Sequence, residues 1–303
     1  MKTKNDYQSF LTSFKIKGVD LKKLLLLVLI GSSVIITSCG GNQSKKDKEE
    51  KTNAVATAEP KIVNEQVTYT SGNDTLVGYL YYDENSNEKK PGIIVVHEWW
   101  GNNSYTQMRA KMLAELGYVA LAADMYGHGK ILDNPKDAQA NADVIYSNPD
   151  LLKARMMAAY QTLINSNRVI NDQIAAIGYC FGGTVVLNAA AMGVPLDAVV
   201  SFHGGLAGFK ATPALKNTHV LVCNGGADSF VSEDDIKNFK NEMNRENVPF
   251  VFKEYEGATH AFTNPESTEA GKKFNMPIAY NESADKASWQ DMLDFFKEHF
   301  PVK

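Results

Sequence analysis

In the stretch Gly178-Tyr179-Cys180-Phe181-Gly182-Gly183 a cysteine is fenced by glycines, directly after an apolar run. An inert buried thiol needs no such company. Glycines this close permit a turn too tight for a Cβ, or a close approach of another backbone. The pattern G-x-C-x-G between a strand and a helix is that of a nucleophile elbow, with sulfur where a serine oxygen would stand. The helix N-terminus that follows favours negative charge on the sulfur. A free cysteine is nevertheless a weak nucleophile at neutral pH and needs a base.

Two further residues supply that chemistry. Asp228 closes "CNGGAD" and His260 lies in "EGATHAF". His260 would take the thiol proton, while Asp228 would hold its ring and stabilise the imidazolium. The chain order Cys, Asp, His is the triad order of α/β-hydrolases. Glu98, in "HEWWG", is a fourth candidate at a strand end. His97 and His203 also fall near strand ends and are expected to be hydrogen-bonded structural residues, with His128 near the pocket. His219 and His299 have no expected role, and Cys223 reads as a packing residue within a strand. Trp99 and Trp100, beside the elbow, are candidate pocket walls.

These residues require elements that deliver them to one place. Residues 66–82 alternate apolar and polar around Ser71-Gly72-Asn73-Asp74, the signal of an antiparallel hairpin. Continuous apolar or alternating runs at 92–101, 119–127, 173–179, 197–205, 219–228 and 250–257 read as strands. Helical spacing occupies 104–118, 135–166 (interrupted near Ser147-Asn148-Pro149), 182–193, 233–247 and 284–300. Strands alternating with helices predict an α/β domain with a mostly parallel sheet covered on both faces. In such a sheet, reactive groups gather beyond the carboxyl ends of the strands.

"GYCFGG", "GGAD", "ATHAF" and "HEWWG" together resemble the dienelactone hydrolase family, over about residue 65 to the C-terminus. The resemblance implies an α/β-hydrolase fold and a Cys180–His260–Asp228 triad acting on an ester, lactone or thioester. It implies that Glu98 sits beside the thiol, and that the amides of Trp99 and Phe181 form an oxyanion hole. It places Trp100, Tyr126 and His128 at the substrate pocket. Members that cleave dienelactones hold a substrate carboxylate with two arginines. Here the corresponding segments read Asp124-Met125-Tyr126-Gly127-His128 and Ala261-Phe262-Thr263-Asn264, without either arginine. A neutral substrate is therefore expected. The other class of function open to this fold is a non-catalytic, lipid-anchored ligand-binding protein.

The 303 residues carry a formal net charge of -4, which argues against a nucleic-acid partner. No CxxC and no cluster with metal-ligand spacing occurs, so no metal or cofactor is expected. The N-terminal part differs from the rest. Lys22-Lys23 precede "LLLLVLIGSSVII", too short for a comfortable membrane span but suited to a signal-peptide core. The run ends in Ile36-Thr37-Ser38-Cys39, which resembles the lipobox of bacterial lipoproteins. The expected organisation is a signal peptide at 1–38, a lipidated Cys39 with a disordered polar tether at 39–60, and the hydrolase-like domain at 61–303. This would tie the domain to a membrane of the bacterial cell envelope, outside the cytoplasm.

Overall fold

The computed structural model describes residues 59–302. The expected signal peptide, and the expected tether up to residue 58, lie outside the described residues. The chain enters the domain at Glu59, whose carbonyl accepts from Asn85 Nδ2 at 2.7 Å.

Strands β1 (Ile62–Ser71) and β2 (Asp74–Asp83) pair antiparallel about Gly72, whose φ of 60° lies in the left-handed region that favours glycine. Then follow β3 (Lys90–Val96), β4 (Val119–Ala123), β5 (Val169–Tyr179), β6 (Ala198–Phe202), β7 (His219–Gly225) and β8 (Phe250–Tyr255). They form one sheet in the order β1-β2-β4-β3-β5-β6-β7-β8. The β2–β4 pair is antiparallel, and every pair from β4 through β8 is parallel. The α/β architecture with an antiparallel start is the one the alternation predicts. Ile93, Ile94, Val95 and Val96 of β3 are all fully buried, as a parallel strand covered on both faces requires.

The helices are α1 (Ser104–Glu115), α2 (Pro135–Tyr146), α3 (Pro149–Asn165), α4 (Phe181–Ala191), α5 (Glu233–Arg245), α6 (Ser267–Phe274) and α7 (Glu282–His299). The interruption expected near residue 148 is real. Asn148 caps α3 by accepting from Leu151 N–H at 3.1 Å, with Pro149 in its first turn. Helix α6 was not foreseen: "STEAGKKF" lacks a clear apolar stripe, and the helix is held by tertiary contact. A Cβ on its Gly271 would meet the Ile278 carbonyl oxygen at 2.4 Å.

The connection from β3 runs one way along the sheet to β4, whereas that from β5 runs the other way to β6. Strands β3 and β5 are neighbours, so the order of the sheet reverses between them. Right-handed crossovers of opposite direction place their helices on opposite faces and leave a crevice at that point. Glu98 and Cys180 follow these two strands.

Helices α1 and α7 are joined by a buried ion pair. Arg109 donates to Asp285 Oδ1 at 2.5 Å, with both side chains at most 2% exposed. The guanidinium also donates to the Thr263 carbonyl at 2.7 Å and to Tyr105 Oη at 3.3 Å, and faces the rings of Tyr105, Tyr179 and Trp289. Thr263 lies three residues beyond His260. This pair therefore anchors the loop that carries the histidine.

Candidate active site

The elbow explains its glycines. Cys180 has φ 53° and ψ -114°, a region costly for a residue with a Cβ. A Cβ on Gly178 would lie 2.1 Å from the Gly182 carbonyl oxygen, and one on Gly182 would lie 2.3 Å from that of Val96. The turn from β5 into α4 thus presses against itself and against β3. The Cys180 N–H is shared between the Phe202 carbonyl and His203 Nδ1, each at 3.0 Å.

Cys180, Asp228 and His260 come together. His260 Nε2 is 2.9 Å from Cys180 Sγ, and His260 Nδ1 is 2.8 Å from Asp228 Oδ2. The other Asp228 oxygen accepts from the Phe230 N–H at 2.9 Å. Cys180 is half-buried and the His260 side chain 12% exposed, so the sulfur is reachable while the carboxylate is sealed. Burial alone would lower the His260 pKa. The Cys180 sulfur and the Asp228 carboxylate outweigh burial and push it up to about 10. The imidazole accordingly holds a proton at neutral pH.

Glu98 is buried, not a surface charge. Burial pushes its carboxyl up to about 7, against a hydrogen bond from Asn264 Nδ2 at 2.7 Å. Its described hydrogen bond is thus to Asn264, not to the thiol beside which the family resemblance placed it. Asn264 occupies a segment read only for its missing arginine. A short polar residue gives no sign from sequence alone that it will meet a carboxyl 166 positions away.

His97 and His203 are both hydrogen-bonded structural residues. His97 Nε2 accepts from the Met125 N–H at 3.2 Å, so Nδ1 carries the proton and donates to the Glu98 carbonyl at 2.5 Å. Burial lowers its pKa to about 4, which keeps it neutral. His203 accepts the Cys180 N–H through Nδ1 and donates from Nε2 to Thr263 Oγ1 at 2.7 Å. It too is held neutral, by burial and by the charge on His260. His203 therefore links the elbow to the His260 loop, a connection the sequence does not announce.

The two expected oxyanion amides belong to fixed peptide planes. The Trp99 N–H shares its plane with the Glu98 carbonyl, which is held by His97 Nδ1 and by the Gly101 N–H at 3.2 Å. The Phe181 N–H shares its plane with the Cys180 carbonyl, which accepts from Gly183 and Thr184 at the start of α4. Phe181 opens the helix, where N–H groups have no intrahelical partner.

Tyr126 packs on Phe181 with ring centroids 5.2 Å apart and donates its hydroxyl to the Trp99 carbonyl at 3.0 Å, so it supports the loop that carries Trp99. Trp100 is half-buried between Trp99 and Phe274. His128 is exposed at φ 57°, with its N–H donated to the Thr75 carbonyl at 2.7 Å, and no described contact joins it to the triad. Two aromatic residues not singled out from sequence do reach the site. The Phe230 ring lies 5.0 Å from that of His260, and Tyr146 lies 5.3 Å from Phe181.

Cys223 is buried as a free thiol, 3.5 Å from Tyr255 Oη, and burial pushes its pKa up to about 12. His219 and His299 stack on each other at 4.2 Å, at the start of β7 and the end of α7.

The fold has relatives among known proteins. The model of the dienelactone hydrolase family matches residues 76–300. An uncharacterized protein of Caenorhabditis elegans is 35% identical over 152 residues, which is 49% of this chain and 94% of that one. Protein usf of Aquifex pyrophilus is 28% identical over 69% of this chain and 88% of its own. The crystal structure of a dienelactone hydrolase-like promiscuous phosphotriesterase from metagenomic libraries superposes with a TM-score of 0.74. It is 32% identical, and the match covers 79% of this chain and 99% of that one. With three quarters of its length matched by that family's model and its fold shared with a solved relative of the same kind, the chain belongs to the dienelactone hydrolase family.

Proposed function

We propose that this protein hydrolyses small neutral esters, lactones or thioesters through an acyl-enzyme on Cys180. The observation that carries the reading is the unbroken hydrogen-bonded line Cys180–His260–Asp228 on a strained elbow. The Cys180 sulfur attacks the carbonyl carbon, and the charge that develops on oxygen is met by the amides of Trp99 and Phe181. His260 delivers its proton to the leaving oxygen as the carbon–oxygen bond breaks. Water then attacks the thioester, giving a proton back to His260 and releasing the sulfur. Asp228 keeps the ring oriented throughout.

The preference for neutral substrates rests on where the nearby arginines are spent. Arg109 donates to the Thr263 carbonyl and Asp285, while Arg155 donates to the Met125 carbonyl and, at 2.7 Å, to Asp74. These are the segments in which carboxylate-binding arginines are expected, and both guanidinium groups are bound up in the fold. Likeness to a phosphotriesterase adds neutral phosphotriesters to the substrates worth measuring.

The test is incubation with an activated neutral ester, followed by mass spectrometry and burst kinetics. An acyl adduct on Cys180, a burst, and loss of turnover in Cys180→Ala are expected. Binding without an adduct would instead identify a non-catalytic ligand-binding protein. A methyl ester should be turned over at least as well as its free-carboxylate counterpart.

The run Ile36-Thr37-Ser38-Cys39 after an apolar core supports anchoring through a lipid on Cys39, with the domain outside the cytoplasm. Mass spectrometry of the mature protein should find an acylated N-terminal cysteine. An unmodified terminus at Met1 would exclude it.

A further inference from the structure

Among the described residues, two exposed large apolar side chains pack on His260 and on Phe181, the neighbour of Cys180. Phe230 is 53% exposed and meets the His260 ring edge to face. Tyr146 is 43% exposed and packs on Phe181. Trp99 and Trp100 are half-buried against each other at 5.0 Å. The order of the sheet separates these groups. Tyr146 ends α2, in the connection leaving β4, and the tryptophans follow β3. Cys180 follows β5, and Phe230 follows β7 beyond it. Single exposed apolar residues need no explanation, but aromatic groups gathered around reactive atoms point to an apolar ligand.

Resting on the cysteine-hydrolase reading above, we infer that the two sides have different duties. Phe230 receives an apolar or aromatic alcohol portion, and Tyr146 with Trp99 and Trp100 receives an apolar acyl portion. The substrate is then a neutral ester that is apolar on both sides of its carbonyl.

Proton transfer fixes which side is which. The sulfur lone pair forms the S–C bond and the carbonyl π pair moves to oxygen. When that pair returns, the C–O bond to the alcohol breaks, and the alcohol oxygen takes the proton from His260 Nε2. The alcohol must therefore sit against His260, where Phe230 is the exposed neighbour. Asp228 sets both positions at once, holding His260 Nδ1 with one oxygen and the Phe230 N–H with the other. The acyl group stays on sulfur after the alcohol departs. It lies toward the opposite side, on the Trp99 and Phe181 side of the nucleophile.

The two-step reaction makes the assignment testable with the full chain. Esters of one acid with methanol and with benzyl alcohol share an acyl-enzyme and differ only in acylation. Phe230→Ala should lower the benzyl-to-methyl ratio of kcat/KM by about tenfold, leaving deacylation of the shared intermediate unchanged. Phe230→Leu should keep most of the ratio. Tyr146→Ala should leave that ratio alone and reduce the preference for hexanoyl over acetyl esters, in deacylation as well. Both side chains are partly exposed, although the Tyr146 hydroxyl is hydrogen-bonded to Thr184, so thermal melts are needed to check that each variant is folded. Equal loss on methyl and benzyl esters, or slowed deacylation in Phe230→Ala, would overturn the inference by making Phe230 only a support for His260. A change of the alcohol ratio in Tyr146→Ala would overturn it too. Absence of an adduct on wild-type Cys180 would instead overturn the hydrolase reading itself.

Discussion

Glu98 is 3% exposed, and burial pushes its carboxyl from an ordinary 4.5 up to about 7. Between those two values the folded protein holds a proton that the unfolded chain has released. Stability therefore falls as pH rises from 4.5 to 7 and is level above, because the folded state binds more protons across that window. Each tenfold change in proton affinity is worth about 1.4 kcal/mol, so the whole window costs about 3 kcal/mol. Glu98→Gln keeps the oxygen that accepts from Asn264 and has no proton to lose. Guanidinium unfolding of both proteins should give closely similar stabilities near pH 4.5. The variant should become more stable with rising pH, by about 3 kcal/mol at pH 8. The comparison within a pair cancels the other titrating groups. A difference that does not vary between pH 4.5 and 8 would refute the assignment of a protonated, buried Glu98.

Arg109→Met leaves the Asp285 carboxylate buried without its cation. It should cost about 3–5 kcal/mol by chemical denaturation, and Arg109→Met combined with Asp285→Asn should cost less than the sum. Gly182→Ala puts a Cβ 2.3 Å from the Val96 carbonyl oxygen, where backbone must move. The variant should lose about 4 kcal/mol or more, or fail to yield soluble protein. His260 has its pKa raised to about 10 from an ordinary 6.5. The stability from its pairing is complete below pH 6.5 and fades as pH rises through 10, where kcat/KM for a neutral ester should also fall. A kcat/KM that stays level to pH 11 would remove His260 from the role of proton donor.

The grouping of Cys180, Asp228 and His260 was legible in the sequence because its signals are local. Gly178, Gly182 and Gly183 around Cys180 record a backbone constraint, and Asp228 and His260 follow apolar strands in a fixed order. The hairpin at Gly72 and the break at Asn148-Pro149 were legible for the same reason: single residues dictate the dihedral or the cap there. Helix α6 was not, since its eight mostly polar residues are held by neighbours rather than by their own periodicity. Nor could the chain announce which polar side chains would meet. Asn264 with Glu98, His203 with the Cys180 N–H, and Arg109 with Asp285 are partners across 166, 23 and 176 positions. Phe230 and Tyr146 read as ordinary apolar residues until the fold packs one on His260 and the other on Phe181. Sequence by itself determined the fold class and the strand-to-helix turn at Cys180, through period, turn and order. Only the tertiary structure decided the charge on Glu98 and on His260, because burial and charged neighbours are properties of a place in three dimensions.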